Sequence, residues 1–316
     1  MKLPQLKIGD KVAKIPIIQG GMAMRLTTGK LAATVANQGG IGLIAASGMT
    51  NEELRYEIRL ARHLSKGIIG INIMVAAKKF NEIVTTAIDE GIDLVVAGAG
   101  FSRDMFGLGK ESGTPIVPIV STAKLAQISQ RLGAAAVVVE GYEAGGHLGT
   151  DQPTKEIIPE IVKSVSIPVI AAGGVRNGAD IAYYLKQGVS GVQMGSRFAC
   201  SLESNGAPLL KELYMLSKPE DVVIIHSPVG LPGRALRNPF AERILSGPAH
   251  PDKCVVCLKK CSHYFCISNS LDKTQQGNIE NGLVFSGEFL PNIDKILSVE
   301  EIFKMLIDEV ESIPED

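Results

Sequence analysis

Eight short runs rich in valine and isoleucine recur along the first two thirds of the chain, at Ile15–Ile18, Gly40–Ala45, Ile68–Ile73, Leu94–Ala97, Ile116–Val120, Ala135–Val139, Pro168–Ala171 and Gly191–Met194. None alternates polar with apolar residues, so each predicts a strand buried on both faces, as parallel strands are. Amphipathic runs separate them. Phe80, Ile83, Val84, Ala87 and Ile88 fall on one helix face. Leu125, Ile128 and Leu132 repeat the spacing behind Ser121 and Thr122, which suit a cap. Ile181, Tyr184 and Leu185 repeat it again, with Gly188 placed to end the helix. Eight such units with short loops predict an α/β protein, a closed TIM (β/α)8 barrel. An open doubly wound sheet is the alternative. The strand count, and the absence of a G-x-G-x-x-G after the first strand, weigh against it.

The rhythm breaks near residue 200. Pro208, Pro219, Pro228, Pro232, Pro239 and Pro248 predict helical pieces joined by long loops. A final helix is well marked: Ser298 and Glu301 have capping-box spacing, and Ile302, Phe303, Leu306, Ile307, Val310 and Ile313 form one apolar face. The expected division is a barrel over 1–202 and a C-terminal helical and loop extension over 203–316, packed on the barrel as a lid. A formal net charge of −1 gives no field for nucleic acid or an anionic membrane surface. No apolar run is long enough for a membrane helix, and Met1–Asp10 lacks the apolar stretch of a signal peptide, so a cytoplasmic protein is expected.

Glycine is abundant, at 34 residues, and gathers where a barrel places its chemistry, beyond the strand C-termini. Gly20, Gly21 and Met22 follow the first strand, Gly145 and Gly146 lie beyond the sixth, Gly173 and Gly174 follow the seventh, and Gly195 and Ser196 follow the eighth. The last two loops are the usual phosphate site of such barrels, where glycine lets backbone N–H groups come close. Plain βα turns also use glycine; pairs at both positions favour a phosphate-bearing ligand. His147 follows two glycines in a polar loop on that face, and its titration range suits a general acid or base. Asn72 ends the third strand, where an amide either meets a planar heterocycle or ties two loops. Gln193 poses the same choice in the eighth strand. Glu140 ends the sixth, to position a ligand hydroxyl or cap a loop.

These segments together resemble the nitronate monooxygenase (2-nitropropane dioxygenase) family, which includes the flavin-dependent enoyl-acyl carrier protein reductase II. Pro16–Met22, Asn37–Gly42, Gly70–Asn72, Glu140–His147 (E-G-Y-E-A-G-G-H), Ile170–Val175 and Val192–Phe198 carry the resemblance, in order, over about residues 15–240. The resemblance implies a TIM barrel holding FMN. It implies that Gly20, Gly21, Met22, Asn72, Glu140, Gly145, Gly146, Gln193 and Met194 surround the flavin, that Gly173, Gly174, Gly195 and Ser196 hold its phosphate, and that His147 works beside flavin N5 and a small-molecule substrate. The first expectation is oxidation of alkyl nitronates with O2 to a carbonyl compound and nitrite. The alternatives are NAD(P)H-dependent reduction of an enoyl thioester, or a flavin or metal redox-sensing or electron-transfer protein. Gly233–Asn238 resembles a stretch of the reductases, where Arg234 or Arg237 would meet a phosphate or pantetheine group, or else form a basic surface loop. A homodimer is left open.

Cys254-x2-Cys257-x3-Cys261-x4-Cys266 departs from the family pattern. Four thiols so close together suit metal or redox chemistry better than disulfides in a cytosolic chain. An iron–sulfur cluster or zinc is expected as one reading, reduced thiols as the other. Cys200 stands apart and reads as a small core residue.

Overall fold

The computed structural model describes residues 1–316 apart from Ala23, Asp252, Pro291, Asn292, Glu315 and Asp316. A short hairpin of β1 (Leu6–Ile8) and β2 (Lys11–Ala13) comes first. Leu6, Ile8 and Ala13 are buried against Ile18, Ile41, Leu94 and Ile170, so the hairpin closes the end at which the strands begin. The barrel strands are β3 (Ile17–Gln19), β4 (Ile41–Ala45), β5 (Ile68–Met74), β6 (Leu94–Gly98), β7 (Ile116–Val120) and β8 (Val137–Glu140). A two-residue strand outside the barrel, β9 (Gly146–His147), precedes the last two, β10 (Val169–Ala172) and β11 (Gly191–Met194). Neighbours pair in parallel in chain order, and β11 closes against β3 with Val192 opposite Ile17 and Met194 opposite Gln19. Every strand end lies within two residues of its expected place.

Outside the barrel run α1 (Gly29–Asn37), α2 (Asn51–Leu64), α3 (Phe80–Asp89), α4 (Asp104–Ser112), α5 (Ala123–Leu132), α6 (Thr154–Ser164) and α7 (Gly178–Lys186). Thr122 caps α5 by accepting from the Leu125 N–H, and α3 buries Phe80, Ile83, Val84 and Ala87 as its spacing predicts. In α5 the small residues Ala126 and Ser129 are the buried ones instead, with Leu125 and Ile128 at the margin. Short side chains let that helix lie close to the sheet, and the larger ones flank the contact.

Beyond β11 come a single turn, α8 (Ser196–Ala199), then α9 (Pro208–Leu216), a hairpin of β12 (Val222–His226) and β13 (Pro232–Leu236), α10 (Pro239–Ser246), α11 (Ile267–Gln275) and α12 (Val299–Glu311). The hairpin corrects the expectation of helices and loops only. Pro228 falls in its turn, and Pro232 is the first residue of β13, a position that tolerates proline. Val223 and Ile225 point inward while Ile224 and His226 are exposed, the pattern of a half-buried antiparallel strand.

The eighth helix of the ring is supplied by the end of the chain. α12 packs against α7 and α1. Its Val299, Ile302, Phe303, Leu306 and Val310 share a cluster with Ile17, Val35 and Val192, and Glu309 accepts from the Gly178 N–H at 2.6 Å. Residues 203–297 are thus inserted between the last strand and the last helix of the barrel, and the expected division at 202 falls inside that unit. Among the described residues no helix is long and apolar enough to cross a membrane.

Candidate active site

A cavity of about 610 Å³ opens at the strand C-termini. Gly20, Gly21 and Met22 after β3, Asn72 in β5, Glu140 at the end of β8, Gly145, Gly146 and His147 beyond it, Gly173 and Gly174 after β10, and Gln193, Met194, Gly195 and Ser196 at β11 all line it. Residues scattered over 177 positions of sequence therefore share one wall. Gly173 and Gly174 both adopt left-handed backbone, with φ of 88° and 76°, which only glycine holds without strain. A Cβ on Gly21 would stand 2.3 Å from that of Asn72. The Asn72 amide ties two loops, donating to the Gly21 carbonyl at 3.2 Å, while also lining the cavity.

The loop that carries His147 is held from two sides. Glu143 accepts from the Thr154 N–H at 2.8 Å. Arg234 of β13 reaches back to donate to the carbonyls of Ala144, at 3.2 Å, and Tyr142, at 2.7 Å, with its guanidinium 4.4 Å from the centre of the Tyr142 ring. It is only 4% exposed. Arg234 is thus a clamp on this loop, whereas Arg237 is exposed and paired with Glu242. Arg237 thus fits the surface-loop alternative, and Arg234 fits neither expectation, because its partners at Tyr142 and Ala144 lie about ninety positions away in sequence.

His147 sits in β9, which pairs antiparallel with β13 so that Gly233 faces His147. Its Nε2 lies 2.8 Å from Ser227 Oγ, and its ring stands edge-on to Phe285 at 5.2 Å. Ser227 Oγ is itself fixed by the Val229 N–H at 3.3 Å. Nε2 is occupied, so Nδ1 is the nitrogen left for a ligand. Burial pushes His147 down to about 4, which makes the ring neutral at neutral pH. Burial pushes Glu140 the other way, up to about 8, so it stands in the cavity as an uncharged acid able to donate. Ser227, Phe285 and Glu143 were not picked out from the sequence. Glu143 lay within a recognised motif, but nothing local marks Ser227, which meets His147 only through the hairpin.

The wall suits a flavin. Gln193 is 8% exposed, and its Oε1 is buried on the wall without a hydrogen-bond partner among the described residues. A ring N–H or ribityl hydroxyl would satisfy it. At the other end Ser196 Oγ accepts the Gly287 N–H at 3.2 Å, which leaves its own proton to donate to a phosphate beside Gly173, Gly174 and Gly195. The cysteines fall differently. Cys200 is a core residue whose thiol burial raises to about 12. Of the other four only Cys257 reaches the cavity wall. Among the described residues no group of three or more His, Cys, Asp or Glu side chains is placed to hold a metal ion. A zinc ion needs its sulfurs ~2.3 Å from one point, and neither the zinc nor the iron–sulfur expectation is met by this placement.

A closed parallel barrel with a cavity at its strand C-termini is the architecture of the TIM-barrel class of enzymes. The chain belongs to the nitronate monooxygenase family, whose pattern matches residues 6–309. It is similar to the (3aS,4S,5R,7aS)-5-hydroxy-7a-methyl-1-oxo-octahydro-1H-indene-4-carboxyl-CoA dehydrogenase of Mycobacterium tuberculosis, 32% identical over 235 residues, which cover 73% of this chain and 66%, just under two thirds, of that protein. It is 31% identical over 274 residues to a probable nitronate monooxygenase of Staphylococcus aureus, with 72% and 77% of the two chains covered. FabK from Thermotoga maritima superposes with a TM-score of 0.85 at 33% identity, over 95% of this chain and 93% of that one. A nitroalkane oxidase from Streptomyces ansochromogenes shares the fold, with a TM-score of 0.79 at 23% identity.

Proposed function

We propose that the protein binds FMN and reduces the double bond of an enoyl thioester with NAD(P)H. The observation that carries this reading is the character of the wall beyond Phe285. Met24, Met74, Leu258, Ile267 and Leu271 form it, as part of one apolar cluster. None of these five side chains carries a charge. Arg176 is paired with Asp180, Arg197 donates to the carbonyls of Cys200 and Lys295, and His147 is neutral. An apolar, uncharged wall suits an acyl chain better than a small anion such as a nitronate. The name of the Mycobacterium tuberculosis relative likewise specifies a coenzyme A thioester.

Bound FMN would supply hydride transfer. The chain supplies placement. Gly173, Gly174, Gly195 and Ser196 hold the phosphate, while Gln193 and Glu140 address the ring. His147 offers Nδ1–H as a neutral donor to the thioester carbonyl, whose oxygen gains negative charge as the β-carbon is reduced. Ser227 keeps the imidazole in that orientation. Ser227→Ala is expected to lower kcat roughly 10-fold with KM little changed, the scale of one lost hydrogen bond; steady-state kinetics at fixed NADPH read it out.

Nitronate oxidation is the second reading, favoured by the family itself and by the Staphylococcus aureus relative. An anaerobic titration decides. The flavin band near ~450 nm should bleach with NADPH and recover on addition of crotonyl-CoA. Bleaching by ethyl nitronate, with no response to NADPH, would replace the proposal by the second reading.

A further inference from the structure

Between α11 and α12 the chain runs along the cavity wall, where Phe285, Ser286, Gly287 and Phe289 line it. Three consecutive backbone N–H groups of this strap donate to three different parts of the site. Ser286 donates to the Arg234 carbonyl in β13 at 3.2 Å, and Glu288 to the Glu143 carbonyl in the loop after β8 at 3.1 Å. Between them Gly287 donates to Ser196 Oγ, at the start of α8, at 3.2 Å. Phe285 precedes the three and stands edge-on to the His147 ring. Its carbonyl accepts from the Tyr214 hydroxyl at 3.0 Å. Phe289 follows them and reaches the loop after β10, where a Cβ on Gly174 would come within 3.5 Å of its ring. Five residues thus join the histidine to the loops that suit a phosphate.

The strap lies close against the loop that carries His147. A Cβ on Gly145 would stand 2.8 Å from the Gly287 nitrogen, so the contact requires glycine there. Ser286 and Gly287 are buried, which shields their bonds from water. Arg234 belongs to the same system. Its carbonyl holds Ser286 while its side chain holds Tyr142 and Ala144, and its guanidinium lies 3.7 Å from the Glu288 carboxylate.

We infer that residues 285–289, with Arg234, form the positioning element of His147, and that the phosphate of the bound cofactor sets this element through Ser196. Ser196 Oγ accepts from Gly287, so its proton is free to donate to a phosphate. A hydroxyl that donates to an anion becomes a better acceptor, because hydrogen bonds in a chain polarise one another. Phosphate at Ser196 therefore tightens the Gly287 bond. Ser286 and Glu288 flank Gly287, so their bonds to Arg234 and Glu143 tighten with it, and both partners hold the loop of residues 142–147. Ser227 fixes Nε2 of His147, and Phe285 fixes the plane of the ring. The inference rests on the reading that these loops take the FMN phosphate. It does not depend on which reaction the flavin performs.

The test is amide hydrogen exchange of the full-length protein, stripped of flavin and reloaded with saturating riboflavin or saturating FMN. Riboflavin has the ring and the ribityl chain but no phosphate. The amides of Ser286, Gly287 and Glu288 should exchange roughly 10-fold more slowly with FMN than with riboflavin, the scale of one hydrogen bond. Ser196→Ala, at FMN concentrations that restore full occupancy, should lose this protection, and Ser196→Thr, which keeps the hydroxyl, should retain it. That arm gives the same comparison without riboflavin. Phe285→Leu should lower kcat ~2- to 10-fold, the worth of one edge-to-face ring contact, with FMN affinity as in the wild type. A protein that takes up no FMN would refute the cofactor reading and this inference together. FMN that binds yet leaves the three amides as riboflavin does, or protection that persists in FMN-loaded Ser196→Ala, would overturn the inference alone.

Discussion

Replacing His147 with glutamine should cut turnover by ~10²- to 10⁴-fold, the usual contribution of a positioned proton donor or acceptor, while the flavin stays bound. The side chain of the histidine meets Ser227 and Phe285, and the loops proposed to hold the phosphate follow β10 and β11, elsewhere in the barrel. Flavin occupancy and turnover should therefore separate, which a spectrum and a rate on the same sample reveal. Equal loss of both would mean that His147 holds the cofactor instead of acting on the substrate. The variant should also change the acid limb of stability. The folded histidine titrates near 4 and the unfolded one near 6.5. Between these values the unfolded chain binds more protons. The histidine's contribution is thus complete above pH 6.5 and is lost as the pH falls toward 4. Glutamine does not titrate, so urea midpoints of His147→Gln should fall less steeply over that range than those of the wild type.

The barrel was legible because its signal is local and repeated. Runs such as Ile116–Val120 carry their burial in their composition, and Thr122 or Ser298 marks a helix start within four residues of sequence. The cavity residues were legible through their glycines, since backbone shape at Gly173 and Gly174 restricts the residue type. What escaped was set by distant pairing. Ser227 became a partner of His147 only because β13 pairs with β9, and Arg234 became a clamp only because that pairing carries it over Tyr142. The β12–β13 hairpin was hidden by prolines that sit in its turn and at the first residue of β13. The four cysteines were legible as a group, but their spacing does not show that Cys257 alone of them reaches the cavity wall.

The place of α12 in the ring leads to the largest expected effect on stability. Phe303→Ala should destabilise the protein by ~3–5 kcal/mol, the range for deleting a buried aromatic ring. Phe303 is 1% exposed and lies 5.9 Å from the ring of Phe198, just after β11. It also fills the space a side chain at Gly40 would need: a Cβ there would come within 2.7 Å of its Cζ. The ring thus seals the joint where the first, second and last strands of the barrel meet the closing helix, and backbone on three sides leaves little room for collapse. Leu209→Ala, on the surface of α9 at 59% exposure, is the matched control and should change stability by no more than ~0.5 kcal/mol. Urea unfolding followed by circular dichroism compares the two. Near-equal, small shifts would show that α12 docks on the barrel from outside. A large shift at Phe303 alone would show that the last helix is part of the barrel core, so that closure of the ring depends on a segment that follows the 203–297 insertion.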